Sequence, residues 1–259
     1  MLTLFDLNYL PAFLLIFSRM IAFIATVPIF SYRNIPNPFK IGLALFISLI
    51  LVVTLDAPEL SLDLMYVILI FKEVLVGLII GLVATLILTV VQIAGGFIDF
   101  QMGFAIANVM DPQTGAQSPI IGQYFYTFAL LFLIAVDGHH LLLNGVISSF
   151  EFIGLDQLIH FSSQNYITAV VGMFSQMFLI AFQMAVPIVG SLFLVDVALG
   201  IIARTVPQLN VFVVGIPLKI TVSFIALSVF IVFYISLVRR LFGYTITVMD
   251  GFLRILGGA

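Results

Sequence analysis

The stretch LMYVILIFKEVLVGLIIGLVATLILTVVQ, residues 64–92, decides the fold. Its charged side chains are the neighbours Lys72 and Glu73, and it contains no proline. A helix needs about 20 consecutive apolar residues to cross the hydrocarbon core of a bilayer, so this stretch predicts a membrane-length helix. The rest of the chain agrees, because 63% of its 259 residues are hydrophobic and 8% are charged. Nine basic and twelve acidic side chains cannot cover a water-soluble fold of this size, which predicts an integral membrane protein.

Apolar segments separated by turn-forming residues recur along the chain. Besides the opening stretch, they span residues 10–30, 39–55, 120–136, 166–202 and 218–237. A shorter amphipathic helix is predicted after Asp137. The first charged residue, Asp6, is acidic, so we expect the first segment to be retained and not cleaved as a signal peptide. We therefore predict an all-α integral membrane protein of about six apolar segments, forming a single domain over residues 1–259.

Several positions are predicted to interrupt or end the helices. The apolar stretch 62–109 would form a helix on the order of 70 Å long, about twice the core thickness, so we expect a break at Gly95–Gly96. Pro187 predicts a kink or break in the fifth segment, and the stretch 207–217 separates that segment from the sixth. We expect Arg239–Arg240 to end the sixth segment, with a short, weakly amphipathic helix after it.

The basic residues also indicate a re-entrant or kinked region near residues 187–217. If each segment crossed the bilayer once, Arg204 and Lys219 would lie on the opposite side from Arg239 and Arg240. The positive-inside rule cannot be satisfied at both places. Either one segment is re-entrant, or the protein does not sit in the bilayer as six plain spans.

Several classes of function are excluded by composition. The net charge of -3 gives no basic surface for nucleic acid. The absence of cysteine removes disulfides, thiol catalysis and zinc–thiolate sites together. No phosphate loop, dinucleotide fingerprint or nucleophile elbow is found, so we expect neither an enzyme nor a bound cofactor.

Charged side chains within the apolar segments are candidate functional residues. They are Arg19, Lys72, Glu73, Asp99, Asp196 and Arg204. An ionisable group at membrane depth costs several kcal/mol unless it faces protein or water. We favour pairing with one another or with partner subunits over a proton or ion pathway. Adjacent Lys72 and Glu73 are expected on different helix faces, and Asp196 and Arg204 would lie roughly 12 Å apart, so partners elsewhere are implied.

The histidines offer one possible metal site. His139 and His140 lie beside Asp137, and His160 stands alone in a polar loop. Adjacent histidines are not expected to converge on one ion when they lie on a helix. We therefore predict packing for the pair, solvation for His160, and no bound metal.

Small and soft residues mark possible contact surfaces. Gly77 and Gly81 form a Gly-x-x-x-Gly step, which lets helices approach closely, within the chain or between subunits. Further along, Met102, Phe104, Ile106 and Met110 lie near the polar stretch 111–119. Such deformable apolar side chains suit either a hydrophobic constriction or an ordinary core, and residue types alone do not decide between the two.

The order and spacing of many short blocks carry a resemblance to a known family. These blocks are Arg19 with Ala22, Thr26 and Pro28; Ile35–Pro36 with Lys40–Leu43; Gly77 with Gly81–Leu82; Gln92–Gly95; Phe97–Ile98; Gln101–Gly103; Asp111–Pro112; Gly138–His139; Pro187 with Asp196–Gly200; and Arg204 with Pro207–Gly215 and Pro217. Over almost its whole length the chain resembles the R subunit of the bacterial flagellar export gate, the FliR family, whose relatives serve in injectisomes.

The resemblance implies a mechanism and partners. R subunits assemble with P and Q subunits, joined by the B-type switch subunit, into a hetero-oligomeric helical ring through which unfolded export substrates pass. The subunits are helical hairpins, held largely above the bilayer plane, at the flagellar basal body in the bacterial inner membrane. The energy source lies in other subunits, so no catalytic residue is implied.

The resemblance also assigns candidate residues. Residues 102–123 match the region that plugs the pore, with Met102, Phe104, Ile106, Met110, Asp111, Pro112, Gly115 and Pro119 as plug or constriction residues. The assembly and buried-charge residues are Arg19, Lys72, Glu73, Asp99, Asp196, Arg204, Gln208 and Asn210. Asp99 departs from relatives that carry an uncharged residue there, which leaves its role open.

A second interpretation belongs to another class of protein. Broken helices that bring buried charges together at the bilayer midplane are typical of secondary transporters. Asp196, Arg204 and the stretch 207–217 would form that site. A transporter would function as a monomer or homo-oligomer, whereas an export-gate subunit would require its partner subunits.

Overall fold

A computed structural model of the chain describes residues 9–32, 34–55, 58, 60, 62–104, 119–159, 165–208 and 210–258. These residues form seven α-helices and no strand. The helices are α1 (Leu10–Thr26), α2 (Asn37–Thr54), α3 (Leu64–Met102), α4 (Ile120–Ala135), α5 (Gly138–Phe152), α6 (Asn165–Thr205) and α7 (Val211–Gly257). The all-α prediction is confirmed, and the predicted apolar segments correspond to α1, α2, α3, α4, α6 and α7.

Four of these helices, α2, α3, α6 and α7, are long and apolar enough to cross a membrane, and the bent pair α4–α5 makes a fifth if it forms one span. They differ in how much of their apolar surface the chain itself covers. In the most apolar part of α3, 56% of the residues are buried, against 22% in α6 and 17% in α7. The most apolar parts of α6 and α7 therefore leave most of their surface for lipid or for other proteins.

The chain divides into two compact units, each assembled from separate parts of the sequence. The first unit comprises Met1–Ile87, Ile134–Met173 and Gly243–Ala259. The second comprises Leu88–Leu133 and Phe174–Phe242. Helices α3, α6 and α7 each contribute residues to both units.

The core of the first unit is built around α1. Leu15, Ile16 and Phe23 on this helix are fully buried. Helix α3 lies so close to α1 that a Cβ atom at Gly77 would overlap the backbone carbonyl oxygen of Arg19, and one at Gly81 would overlap the Thr26 side chain. The predicted Gly-x-x-x-Gly contact is therefore made within the chain.

The last turns of α7 complete the first unit. A Cβ atom at Gly257 would overlap the carbonyl oxygen of Phe152, at the end of α5. Gly145 in α5 accommodates the end of the Met249 side chain in the same way. The Tyr166 hydroxyl donates to the carbonyl of Ile255 at 2.9 Å. The C-terminal part of α7 is thus packed on α5 and on the start of α6.

Aromatic contacts tie the helices of the second unit together. The rings of Phe125 in α4 and Tyr234 in α7 lie 4.4 Å apart between centroids. The Tyr234 hydroxyl donates to the Phe125 carbonyl at 2.8 Å, which satisfies a buried polar group. Phe97 in α3 meets Phe182 in α6 edge to face at 6.5 Å.

The predicted break at Gly95–Gly96 is wrong in position. Helix α3 runs through both glycines to Met102 and ends at Gly103, whose φ of +90° is a left-handed conformation that favours glycine. Glycine weakens a helix by about 1 kcal/mol, which packing readily offsets. The long apolar stretch is interrupted, but about seven residues later than expected.

The structure contradicts a break at Pro187, a start of the sixth segment at Leu218 and its end at Arg239–Arg240. Pro187 lies inside α6 and Pro217 inside α7, and α7 continues past Arg239–Arg240 to Gly257. In apolar surroundings each unsatisfied backbone group costs several kcal/mol. A helix therefore keeps its remaining hydrogen bonds and tolerates the one that a proline removes. Arginine is a good helix former, and a charge limits a membrane span without ending a helix. The connection between α6 and α7 is confined to residues 206–210.

Candidate functional site

The candidate gate region lies between α3 and α4. Of the predicted plug residues, Met102, Phe104 and Pro119 are described by the structure, and Met102 is fully buried. Ile106, Met110, Asp111, Pro112 and Gly115 lie outside the described residues. The two ends of this loop meet at one place, which we call the loop base and define as Gly95, Gly96, Asp99, Pro119, Ile121 and Gly122.

Two glycines make the closest contact of the loop base. A Cβ atom at Gly95 would lie 2.9 Å from the carbonyl carbon of Ile121 and closer still to the backbone of Gly122. One at Gly122 would lie 2.8 Å from the Gln92 carbonyl oxygen. Helices α3 and α4 therefore meet backbone to backbone, which only glycine allows. The residues that were expected to break α3 are the ones that let α4 pack against it.

A buried carboxylate lies beside this contact. The Asp99 residue is 3% exposed, and its two carboxylate oxygens accept hydrogen bonds from the backbone N–H of Ile121, at 3.2 and 3.0 Å. Ile121 is in the first turn of α4, where the free N–H groups and the helix dipole favour negative charge. Asp99 of α3 thus caps the first turn of α4. Among the described residues no lysine or arginine forms an ion pair with it.

A polar network joins three helices close to the loop base. The Gln101 side-chain amide donates to the Asp196 carboxylate at 2.8 Å, and Asp196 forms an ion pair with Lys219. The Lys219 ammonium also reaches the Gln101 carbonyl oxygen at 3.5 Å. The partner that Asp196 was expected to find is therefore Lys219 of α7, which the sequence did not single out. Both side chains of the pair stay partly exposed.

The most buried charges form a cluster in the first unit. Arg19 pairs with Glu73, and both side chains are fully buried. The Arg19 guanidinium also donates to the Ser149 hydroxyl at 2.8 Å and to the Ile153 carbonyl at 3.0 Å. It lies 3.9 Å from the centre of the Phe150 ring, in cation–π geometry. Arg19 thus fastens the C-terminal end of α5 to α1 and α3.

Lys72 completes this cluster and corrects the sequence interpretation. Lys72 and Glu73 were expected on different faces of the helix, yet they form an ion pair with each other. The Lys72 ammonium also donates to the carbonyl of Gly154 at 2.8 Å. The long side chain reaches round the helix to its neighbour, so adjacency did not prevent pairing. The cluster holds two cations and one anion. Its excess positive charge is stabilised by backbone carbonyls just beyond α5.

The residues at the tip of the α6–α7 hairpin are exposed. Arg204, Gln208 and Asn210 were grouped with buried charges, and the structure leaves all three open to the surroundings. The Asn210 side-chain oxygen accepts from the backbone N–H groups of Phe212 and Val213, at 3.2 and 3.4 Å, and so caps α7. Arg204 lies in the last turn of α6, where positive charge suits the helix dipole.

One group of potential metal ligands occurs among the described residues. Asp137, His139 and His140 each place a ligand atom within 4.8 Å of the others. The imidazole rings of the two histidines lie 4.3 Å apart between centroids. The expectation that adjacent histidines diverge is therefore wrong at this corner between α4 and α5.

Similarity to known proteins covers nearly the whole chain. A family model described as "Bacterial export proteins, family 1" matches residues 10–245. The chain is 54% identical over 253 residues to the flagellar biosynthetic protein FliR of Bacillus subtilis, covering 97% of this chain and 98% of that protein. It is 30% identical over 208 residues to the FliR protein of Escherichia coli, covering 79% and 78%. A "Yop proteins translocation protein T" of Yersinia pestis is 31% identical over 163 residues, 62% of each chain.

Proposed function

Because this chain belongs to the bacterial export proteins of family 1, we propose that it is a pore-forming subunit of the flagellar type III protein export gate. Unfolded flagellar substrates pass through the assembled pore, and the chain acts as one export-gate domain without catalytic activity. The flagellar form is favoured, since similarity to the Bacillus subtilis FliR extends over 97% of the chain and similarity to the Yop translocation relative over 62%.

The loop between α3 and α4 acts as the plug of this pore. The loop base carries this proposal, because it holds both ends of the loop at one place. Gly95 and Gly122 bring the two helices into backbone contact, and Asp99 fixes the first turn of α4. The segment 103–119 is thereby held at both of its ends. Met102 at the end of α3 and the apolar loop residues Phe104, Ile106 and Met110 seal the pore without binding substrate tightly.

Four further residues give the plug its turns. Asp111, Pro112, Gly115 and Pro119 are turn-forming residues. Pro119 also packs at the loop base, with its Cγ atom 3.7 Å from the position of a Cβ on Gly96. Changes within residues 111–118 therefore alter the plug, whereas changes at Pro119 alter its attachment.

The partners are the P and Q subunits and the B-type switch subunit, in a hetero-oligomer of the bacterial inner membrane at the flagellar basal body. The exposed apolar surface of α6 and α7 supports this proposal, because a chain with so little internal burial there needs another protein or lipid to cover it. Arg204 and Gln208 at the hairpin tip are free to contact a partner. Arg19, Lys72, Glu73 and Asp196 instead find partners inside the chain.

Deleting Gln113–Ser118 tests the plug. The deletion spares Pro119 and hence the loop base, so the gate should assemble with its partners as before. The membrane should then leak ions and small molecules, measured as dye uptake in cells that express the gate. A matched control replaces the same six residues with a Gly/Ser segment of equal length, which keeps the loop but removes its sequence. If the deleted gate assembles and permeability does not change, this loop is not the plug.

A further inference from the structure

The corner between α4 and α5 holds three side chains whose arrangement the export function does not use. We propose that Asp137, His139 and His140 bind one divalent transition-metal ion, which in the cell is Zn²⁺. The proposal concerns the first turn of α5 and is independent of the plug. It departs from the sequence-based expectation of packing alone, because the structure brings the three groups together.

The spacing of the ligand atoms is close to what one ion requires. All three lie within 4.8 Å of one another. Zinc bonds imidazole nitrogen and carboxylate oxygen at about 2.0–2.2 Å, which puts two ligands of a tetrahedral site about 3.3 Å apart. Asp137 and His140 are both exposed, so their side chains have room to rotate toward His139 and shorten these distances.

The hydrogen bonding of two of these residues also supports a bound ion. Among the described residues, Nδ1 of His139 is the one buried side-chain nitrogen or oxygen without a hydrogen-bond partner. A buried polar atom in that state is unfavourable unless it is satisfied by another group. Asp137 occupies the N-cap of α5, the position where a carboxylate normally caps the helix, yet its side chain makes no capping hydrogen bond. An ion bound through Nδ1 of His139 and the Asp137 carboxylate would satisfy both groups.

The backbone at Asp137 is itself unusual. Its φ of 56° is left-handed, and it is the one non-glycine residue with positive φ among the described residues. This conformation turns the chain so that the carboxylate and the histidines two and three residues later lie on one side of the corner. Asparagine tolerates the same conformation, which makes Asp137→Asn a variant that removes charge and preserves the turn.

The donor set selects the chemical class of the ion. Two imidazoles and one carboxylate suit late first-row divalent ions such as Zn²⁺, Ni²⁺ and Cu²⁺, and do not suit Ca²⁺ or Mg²⁺, which prefer oxygen ligands. Three protein ligands leave a further coordination position for water or another ligand. The N-terminal end of a helix opposes positive charge, so the negative charge of Asp137 is essential to the site.

The test is titration of Co²⁺, a spectroscopic probe for Zn²⁺ sites, into the purified full-length chain together with the subunits that co-purify with it. We expect a visible d–d absorption that saturates at one Co²⁺ per chain and disappears on addition of Zn²⁺. Asp137→Asn and His140→Gln should each weaken Co²⁺ binding at least about tenfold. The chain has three histidines, so His160→Gln provides the matched control and should leave binding unchanged. Subunits that co-purify contribute equally to all variants.

Two results would overturn the proposal. One is equal Co²⁺ binding, including none, in the wild-type protein and in the Asp137→Asn/His140→Gln double variant, with helicity by circular dichroism unchanged. The other comes from the wild-type protein alone and applies even if a variant fails to fold. Zn²⁺ should protect His139 and His140, but not His160, from modification by diethyl pyrocarbonate, read by mass spectrometry of peptides. Equal modification of all three with and without Zn²⁺ contradicts a site at this corner.

Discussion

Substitution of the two neighbouring glycines in α3 by alanine should have opposite effects on stability. A Cβ atom at Gly95 would overlap the backbone of Gly122, whereas one at Gly96 would lie 3.7 Å from the Pro119 side chain, which is ordinary van der Waals contact. Both substitutions introduce the same methyl group into the same helix. The pair therefore isolates the contact between α3 and α4 from the intrinsic effect of replacing glycine.

The expected magnitude follows from two terms. Alanine favours a helix over glycine by about 1 kcal/mol, and this gain is shared by both variants. At Gly95 the two backbones must separate by about 1 Å to admit the methyl group, and overpacking of this kind costs about 1–3 kcal/mol. Gly96→Ala should thus be more stable than the parent by up to about 1 kcal/mol, and Gly95→Ala less stable than Gly96→Ala by about 1–3 kcal/mol.

The free energy of unfolding can be measured by titration with dodecyl sulfate in mixed micelles, followed by circular dichroism. Gly95→Ala should also increase dye uptake through the assembled gate, because it loosens the attachment of the plug. If the two variants unfold within about 0.5 kcal/mol of each other, the backbone contact between Gly95 and Gly122 does not hold the loop base.

Three other substitutions test the charged groups. Glu73→Gln should lower the free energy of unfolding by about 3–5 kcal/mol, because it leaves the buried charge of Arg19 without an anion. Unchanged yield and melting temperature would contradict the pairing of Arg19 with Glu73. Asp99→Asn should cost about 1 kcal/mol and speed hydrogen exchange in the first turn of α4, since the amide keeps an acceptor but loses the charge that favours the helix terminus. Arg204→Ala should abolish co-purification with partner subunits. The melting temperature of the isolated chain should not change, because Arg204 is exposed. Retained co-purification would show that Arg204 is not an interface residue.

The helices could be predicted because their signal is local. Twenty apolar residues in a row indicate a membrane-length helix whatever surrounds them, and α2 and α4 begin and end within about two residues of the predicted positions. The turn at Asp137–Gly138 could also be predicted, since those residue types form turns.

The interruptions were harder to predict because they depend on partners. Gly95 and Gly96 carry the same local signal, yet what decides their role is Gly122, which lies on another helix. Pro187 and Pro217 would break a helix in water but not in apolar surroundings. A sequence window contains neither the facing helix nor the solvent.

The charged sites were predicted as residues but not as pairs. Arg19, Glu73 and Asp196 were singled out because charge is expensive at membrane depth, which needs no structure to argue. Their partners lie far along the chain: Arg19 meets Glu73 on α3, and Asp196 meets Lys219 on α7. Pairing across such separations is a property of the fold, and with no signal at Lys219 beyond its charge the sequence could not assign it.

The two units alternate along the sequence, which affects when the first unit can be completed during synthesis. The first unit needs Gly243–Ala259, whose Gly257 packs against the end of α5, while its other parts end at Met173. The α5 surface that receives Gly257 and Met249 must therefore wait until about 80 more residues have been made, which takes roughly 4–16 s at common translation rates. During that interval the α5 surface lacks the part of α7 that covers it in the folded chain. A stop codon placed before residue 243 should therefore leave a chain whose first unit stays incomplete and which is degraded.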